Sequence, residues 1–296
     1  MLTRRALLTT TLALPLLLLP SRVPAQVLPW RPDMRQPLNK GLVAWWRVLP
    51  ELRGTTQVYD VSPYKHHGTV STLGSLWQPT DRRGGLGHFD FGGSPTIDVA
   101  HASASALSFE RTDAFTIAFW QKQFTGSTRG ILGKGNATWA SNATGLGYLV
   151  QVTGTNPQCT LIQADLNYIV AQTTYANLND GVTWYHLVAT HDGTGTFAGL
   201  QWYVNGVPQA MSNLGSTATL TQTILNTQAF HIGWQSYNYL LDDIRMWRRW
   251  LTPVDVVKLY EESQRGDPAL LPRWPFEASR LAPPAGRGRF LPFFGR

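Results

Sequence analysis

Two adjacent carboxylates, Asp242 and Asp243, lie inside the run FHIGWQSYNYLLDDIRMWRRWL at residues 230–251. Over residues 240–247 the residue types alternate in period two. Leu240, Asp242, Ile244 and Met246 fall on one face and Leu241, Asp243, Arg245 and Trp247 on the other, which reads as a strand. Carboxylates in an apolar strand are costly unless they are paired, metal-bound or at a solvated edge, so chemistry concentrates here. Other candidates are thinner. His66 and His67 are the right type for zinc, but neighbours on an extended strand point to opposite faces and do not share an ion. His186 and His191 belong to the alternating run TWYHLVATH and read as strand residues satisfied by hydrogen bonds. The single Cys159 has no partner for an intramolecular disulfide and reads as a small buried apolar group. No Gly-x-Ser-x-Gly elbow or phosphate loop occurs.

The frame that must position these residues is all-β. Charged residues make up only 15% of the 296, while 27 Gly, 12 Trp and 10 Tyr favour strands and turns. Residues 41–48, GLVAWWRV, form the first strand. In QVYDVSPYKHHGTV, Asp60, Ser62 and Pro63 mark a turn before an extended run. Residues 84–99, GGLGHFDFGGSPTIDV, read as a hairpin about Gly92-Gly93. In AFTIAFWQK, residues 114–122, both faces are apolar or small, as in a central sandwich strand. Asn205-Gly206 is a hairpin turn, because both positions accept positive φ. Strands at this spacing predict two antiparallel sheets rather than βαβ units. One short C-terminal helix follows, with Thr252 as N-cap, Pro253 at its first position and Val256, Val257, Leu259 and Tyr260 pinning it to the sandwich.

The ends differ from this body. Residues 1–25 read as an export signal: Arg4 and Arg5 precede an apolar run, and Val23-Pro24-Ala25 offers a cleavage site. The stretch TRRALL is compatible with the twin-arginine route, and the run is short for a membrane span. Three Arg leave with the signal, so the net charge falls from +7 to +4. Residues 26–40 are a lead-in, residues 41–263 the sandwich domain, and residues 264–296 a tail with six Pro and six Arg against Asp267 and Glu277. Residues 26–263 balance at 16 basic against 16 acidic, which argues against a nucleic-acid-binding face. The tail either lies over the domain or is loosely disordered, or it serves assembly or attachment to an acidic surface through its Arg, Trp and Phe residues.

Taken in order, GLVAWW, YDVSPYKHHGTV, FDFGGSPTIDV, FTIAFWQK, ILGKG, WYHLVATHDG, WYVNG, FHIG and LDDIRMWRRWLTPVDVVKLYE resemble the laminin G-like, or concanavalin A-like, jelly-roll domains, in particular the bacterial branch related to pentraxins. The resemblance spans residues 41–262. It implies a sandwich of two antiparallel sheets that binds glycans or other extracellular ligands. It also implies a Ca²⁺ site, with Asp60, the backbone carbonyl of His67, Asp243 and then Asp242 as candidate ligands; Ca²⁺ takes six to eight oxygens. The family's Ser-Gly-Asn-Gly-Asn after the first Asp is replaced here by Ser62-Pro63-Tyr64-Lys65-His66. A metal-free arrangement also satisfies the Asp pair: one carboxylate accepts backbone N–H bonds and the other pairs with Arg245 or another cation.

The same fold supports glycan hydrolases and lyases. Glucanases on it carry E-x-D-x-x-E along one strand, which is absent here, so a non-catalytic binding module is expected. Aromatic candidates for sugar faces are Trp139, Tyr175, Trp234, Tyr237 and Tyr239, each of which a Trp-rich core could equally bury. The alternative class is a structural or assembly component of a surface or particle.

Overall fold

A computed structural model describes residues 32–48, 56–71, 76–78, 87–92, 95–123, 128–135, 145–164, 167–234 and 239–264. The export signal, the tail from residue 265, and the candidates Trp139 and Tyr237 lie outside them. In chain order the strands begin with β1 (Leu42–Trp46), β2 (Gln57–Val58), β3 (Gly68–Val70), β4 (Trp77–Gln78), β5 (His88–Asp90) and β6 (Ile97–Val99). Next come β7 (Phe115–Gln123), β8 (Thr128–Lys134), β9 (Gly147–Thr153), β10 (Asn156–Ile162), β11 (Tyr168–Gln172) and β12 (Tyr185–His191). The last are β13 (Leu200–Val204), β14 (Val207–Pro208), β15 (Ser212–Asn213), β16 (Phe230–Trp234) and β17 (Tyr239–Trp247), followed by the helix α1 (Pro253–Gln264).

They form two antiparallel sheets. One runs β14-β13-β12-β7-β17-β5-β4, with β1 also on β17; the other runs β15-β11-β10-β9-β8-β16-β6-β3-β2. Between them lies the main core. Phe115, Ile117 and Phe119 of β7 and Leu187 and Ala189 of β12 meet Tyr148, Val150 and Val152 of β9 and Phe230 and Ile232 of β16. Each Val, Leu, Ile or Phe among them contributes about 1.5–3 kcal/mol on burial. These are the two antiparallel sheets expected from the strand spacing, in the all-β jelly-roll sandwich that the resemblance implied.

The other face of β7 is apolar for a second reason. Ala118 joins Trp45, Val188, Tyr203, Trp247, Val256 and Leu259 in a smaller core on the outside of the first sheet, beneath α1. The lead-in takes part: Leu38 belongs to this cluster, and its carbonyl accepts a bond from Trp247 Nε1 at 2.7 Å. The helix start is closed reciprocally, with Asp255 N donating to Thr252 Oγ1 and Thr252 N to Asp255 Oδ2, both at 3.2 Å.

Three local expectations change. Residues 84–99 do not form a hairpin: β5 pairs with β4 and β17 in one sheet, whereas β6 pairs with β3 and β16 in the other. The chain crosses between sheets there, which sends Phe89, Phe91, Ile97 and Val99 into the shared core. Val257 does not pin the helix. Val256, Leu259 and Ser263 hold the buried face, and Val257, turned about 100° from Val256, is 42% exposed. The third change, in β17, shapes the site.

Candidate functional site

Strict alternation fails at the acidic pair. Asp242 pairs with Trp120 of β7, but the next registered pair is Arg245 with Ala118, so β17 carries one extra residue. The bulge places Asp243 at φ +52°, a left-handed backbone that costs a non-glycine residue roughly 1–3 kcal/mol. Parity shifts across it, so Leu241 shares the main core with Ile244 and Met246 instead of facing away from them.

Side-chain bonds hold the bulge. Asp243 Oδ1 accepts from Arg245 Nε at 2.9 Å and Oδ2 from Arg245 Nη2 at 2.7 Å, a two-point ion pair with both side chains under 10% exposed. Oδ1 also accepts from the indole Nε1 of Trp45 at 2.6 Å. Trp45 is the direct cross-strand partner of Arg245, and the guanidinium lies 3.8 Å from the centre of the indole ring. Asp242, fully buried, accepts the amide of Asp243 on Oδ1 at 2.6 Å.

Asp60 closes the opposite side of the same tryptophan. Its Oδ1 accepts from the backbone amides of Trp45 and Ser62, both at 2.8 Å. Its Oδ2 accepts from Ser62 Oγ and the amide of His66, both at 2.7 Å. Lys65 at φ +57° turns the chain so that the His66 amide reaches back. His67 enters through its ring: Nδ1 accepts from Asp60 N at 3.1 Å, and burial holds its pKa below the ordinary imidazole value. The His66 ring bonds instead to the carbonyl of Ser103, so the two imidazoles have different partners, although both precede β3 rather than lying in a strand.

Of the expected Ca²⁺ ligands, Asp60 and Asp243 are brought together through Trp45, and both carboxylates are already hydrogen-bonded. Every carboxylate oxygen of Asp60 and Asp243 accepts an N–H or O–H bond, and a guanidinium covers Asp243. As arranged, this set does not fit a cation needing six to eight oxygens. Among the described residues no three His, Cys, Asp or Glu side chains gather as a metal-holding group.

A second polar array lies on the outer face of the nine-stranded sheet. Direct cross-strand partners share a face, and the registers align Gln57, Thr69, Asp98, His231, Gly133, Leu149, Thr160 and Val170 in one row. Gln57 and Thr69 are exposed. Asp98 Oδ1 meets His231 Nδ1 at 2.7 Å, with the two side chains 41% and 23% exposed, and Thr96 Oγ1 donates to Asp98 Oδ2 at 3.3 Å. The next row aligns Trp234, Gly130, Gln151, Gln158, Gln172 and Ser212. Its glutamines form a ladder: Gln151 donates to Gln158, and Gln158 donates to Gln172 at 2.6 Å. Sequence reading missed both rows. Their signal was polar residues at alternate positions of GYLVQVT, NPQCTLI and YIVAQ, unusable without the register.

Residues 92–257 match the family described as the concanavalin A-like lectin/glucanases superfamily. The chain belongs to this superfamily. Among solved structures it is similar to the binding domain of Paraclostridial Mosquitocidal Protein 1, with 15% identity and TM-score 0.58, covering 76% of this chain and 53% of that one. It is also similar to the botulinum neurotoxin serotype D binding domain, with 12% identity and TM-score 0.55, covering 75% and 51%. A third is the binding domain of botulinum neurotoxin DC in complex with SialylT, with 14% identity and TM-score 0.54, covering 76% and 52%. The chain spans about half the length of these structures, and at such identity the likeness is one of fold. No curated protein matches the chain.

Several other candidate residues of this superfamily member are packed in or against its core. Tyr239 stacks on Phe91 at 5.2 Å and donates its hydroxyl to the Gly130 carbonyl at 3.1 Å. Tyr175 stands edge-on to Tyr185 at 5.4 Å. Trp234 ends β16, and its side chain lies outside the described set. His186 stacks with Tyr260 and sits tilted against Trp120, and His191 bonds to the Asp113 carbonyl at 3.1 Å. Cys159 faces the core, where burial pushes its thiol up to about 12. No described helix is long and apolar enough to cross a membrane, which says nothing of β-barrels.

Proposed function

We propose that the chain is an exported, non-catalytic binding module that recognises carbohydrate. The polar end of the first row on the outer face of the nine-stranded sheet, from Gln57 to His231, carries this reading. A carboxylate, an imidazole and a threonine hydroxyl converge at Asp98, His231 and Thr69, and these are the groups that hydrogen-bond sugar hydroxyls. Backbone register sets these positions side by side. The similar solved structures are binding domains, one of them in complex with SialylT, which supports the same reading. Other acids are engaged in holding loops: Glu110 accepts from Thr223 and Ile224, and Asp113 pairs with Arg248 at 2.5 Å.

The test is binding of the exported protein to a broad glycan array. The expected result is binding that Asp98→Ala and His231→Ala each reduce about tenfold or more with melting unchanged, as for loss of a hydrogen bond to a charged or polar partner. Wild-type protein that binds no glycan removes the carbohydrate reading. Wild-type binding that both variants retain removes the row as its site.

A second reading, a building block of a surface or particle, rests on the outward face of α1. Val254 and Val257 are 62% and 42% exposed one helical turn apart, and Trp250, just before the helix, is 43% exposed. Light scattering distinguishes it: assembly that Trp250→Ala and Val254→Ser abolish favours the building block, and a monomeric wild type removes it.

A further inference from the structure

The acidic pair and the Asp60 turn have the residue types of a Ca²⁺ site but the wrong free valences. We infer that the resident cation of this site is the Arg245 guanidinium, and that the sandwich folds without Ca²⁺ there. Three observations carry this independently of any ligand.

The first is charge. Asp243 already has a full positive charge at two-point contact, at 2.9 and 2.7 Å, in a place where both partners are nearly out of water. A divalent ion on the same oxygens would have to expel a guanidinium that is itself stacked 3.8 Å over Trp45. Displaced, that guanidinium would need new partners at a buried position.

The second is connectivity. A metal ion shared by Asp60 and Asp243 would tie the turn after β2 to the bulge in β17. Trp45 makes that tie, giving its backbone N–H to Asp60 at 2.8 Å and its indole N–H to Asp243 at 2.6 Å. It stands in β1, which pairs with β17 and bridges to Asp60 through Trp46, so the link runs through the sheet.

The third is the loop. In Ser62-Pro63-Tyr64-Lys65-His66 the groups turned toward Asp60 are donors: the Ser62 amide and hydroxyl and the His66 amide. Four donor bonds, counting Trp45 N, spread the Asp60 charge over neutral dipoles. Calcium needs acceptors, so this loop is built for a bare carboxylate and not for an ion beside it.

The experiment is thermal unfolding of the wild-type protein in millimolar Ca²⁺ and in excess chelator, together with Arg245→Gln and the double variant Arg245→Gln, Asp243→Asn. Wild-type melting temperatures within about 1 °C of each other are expected, since a ligand stabilises only the state it binds. Arg245→Gln is expected to melt roughly 10 °C lower, because it strands a buried carboxylate, and the double variant to recover most of the loss. A wild-type rise of several degrees in Ca²⁺ that Asp60→Asn abolishes would overturn the inference. So would an Arg245→Gln variant that melts with the wild type. If Arg245→Gln does not fold, the wild-type comparison alone decides.

Discussion

The indole N–H of Trp45 donates to Asp243 Oδ1 at 2.6 Å from across the sheet, 198 residues away in sequence. The Arg245 guanidinium that pairs with the same carboxylate lies over the same indole at 3.8 Å, so one aromatic side chain fixes both members of the ion pair. Trp45→Phe keeps a ring for the stack but leaves Asp243 one donor short. It is expected to cost about 1–3 kcal/mol in urea unfolding, the penalty of a lost buried bond to a charged group. Trp45→Ala removes ring and donor together and is expected to cost more, about 3–5 kcal/mol.

Stability should fall as solution becomes mildly acidic. Burial depresses the His191 pKa in the folded state, with the Asp113 carbonyl opposing only in part, and burial likewise depresses His67. Below the unfolded imidazole value of about 6.5 the unfolded chain binds more protons than the folded one. Their contribution is therefore complete above that value and is lost as pH falls toward the folded values. Urea midpoints are expected to be flat from pH 8 to 7 and to drop between pH 6.5 and 5. His191→Gln should make the drop shallower; an unchanged slope assigns it to other groups.

Cys159 should be silent in the native protein. It faces the main core on β10, and burial pushes its thiol up to about 12. Because the thiolate is the reactive form, a colourimetric thiol reagent at pH 8 is expected to label none of the native protein and one thiol per chain after denaturation.

Gly233 marks where β16 passes closest to an aromatic ring. Its φ is +72°, and an added Cβ would stand 1.9 Å from Phe91 Cε1. Phe91 is stacked on Tyr239 and has no room to retreat. Gly233→Ala is expected to lose about 2–4 kcal/mol from backbone strain and overpacking together, read from the denaturation midpoint.

Much of the frame was legible because it depends on near neighbours. Period-two alternation marked β7 and β12. The Thr252 cap with Pro253 placed α1, and the Asn205-Gly206 turn appears with φ of +50° and +80°. Each follows from the pleat, from unsatisfied N–H groups at a helix start, or from the freedom of two turn residues, and all of these act within a few positions. The order of such segments also sufficed to indicate the superfamily and its sandwich.

What tertiary structure alone decided is who meets whom. The bulge between Asp242 and Arg245 is invisible to a pattern that counts in twos, because the partner strand β7 creates it. The segments around Gly92 look like a hairpin locally and belong to different sheets globally, since burying Phe89, Phe91, Ile97 and Val99 against one core outweighs a short turn. For the candidate site, sequence supplied Asp60, Asp242 and Asp243 and left open metal or ion pair. The structure pairs Asp243 with Arg245, and Trp45, brought alongside by β1, holds both through its indole N–H and its ring face. Residue types determine which interactions are affordable, whereas contacts between distant strands determine which are made.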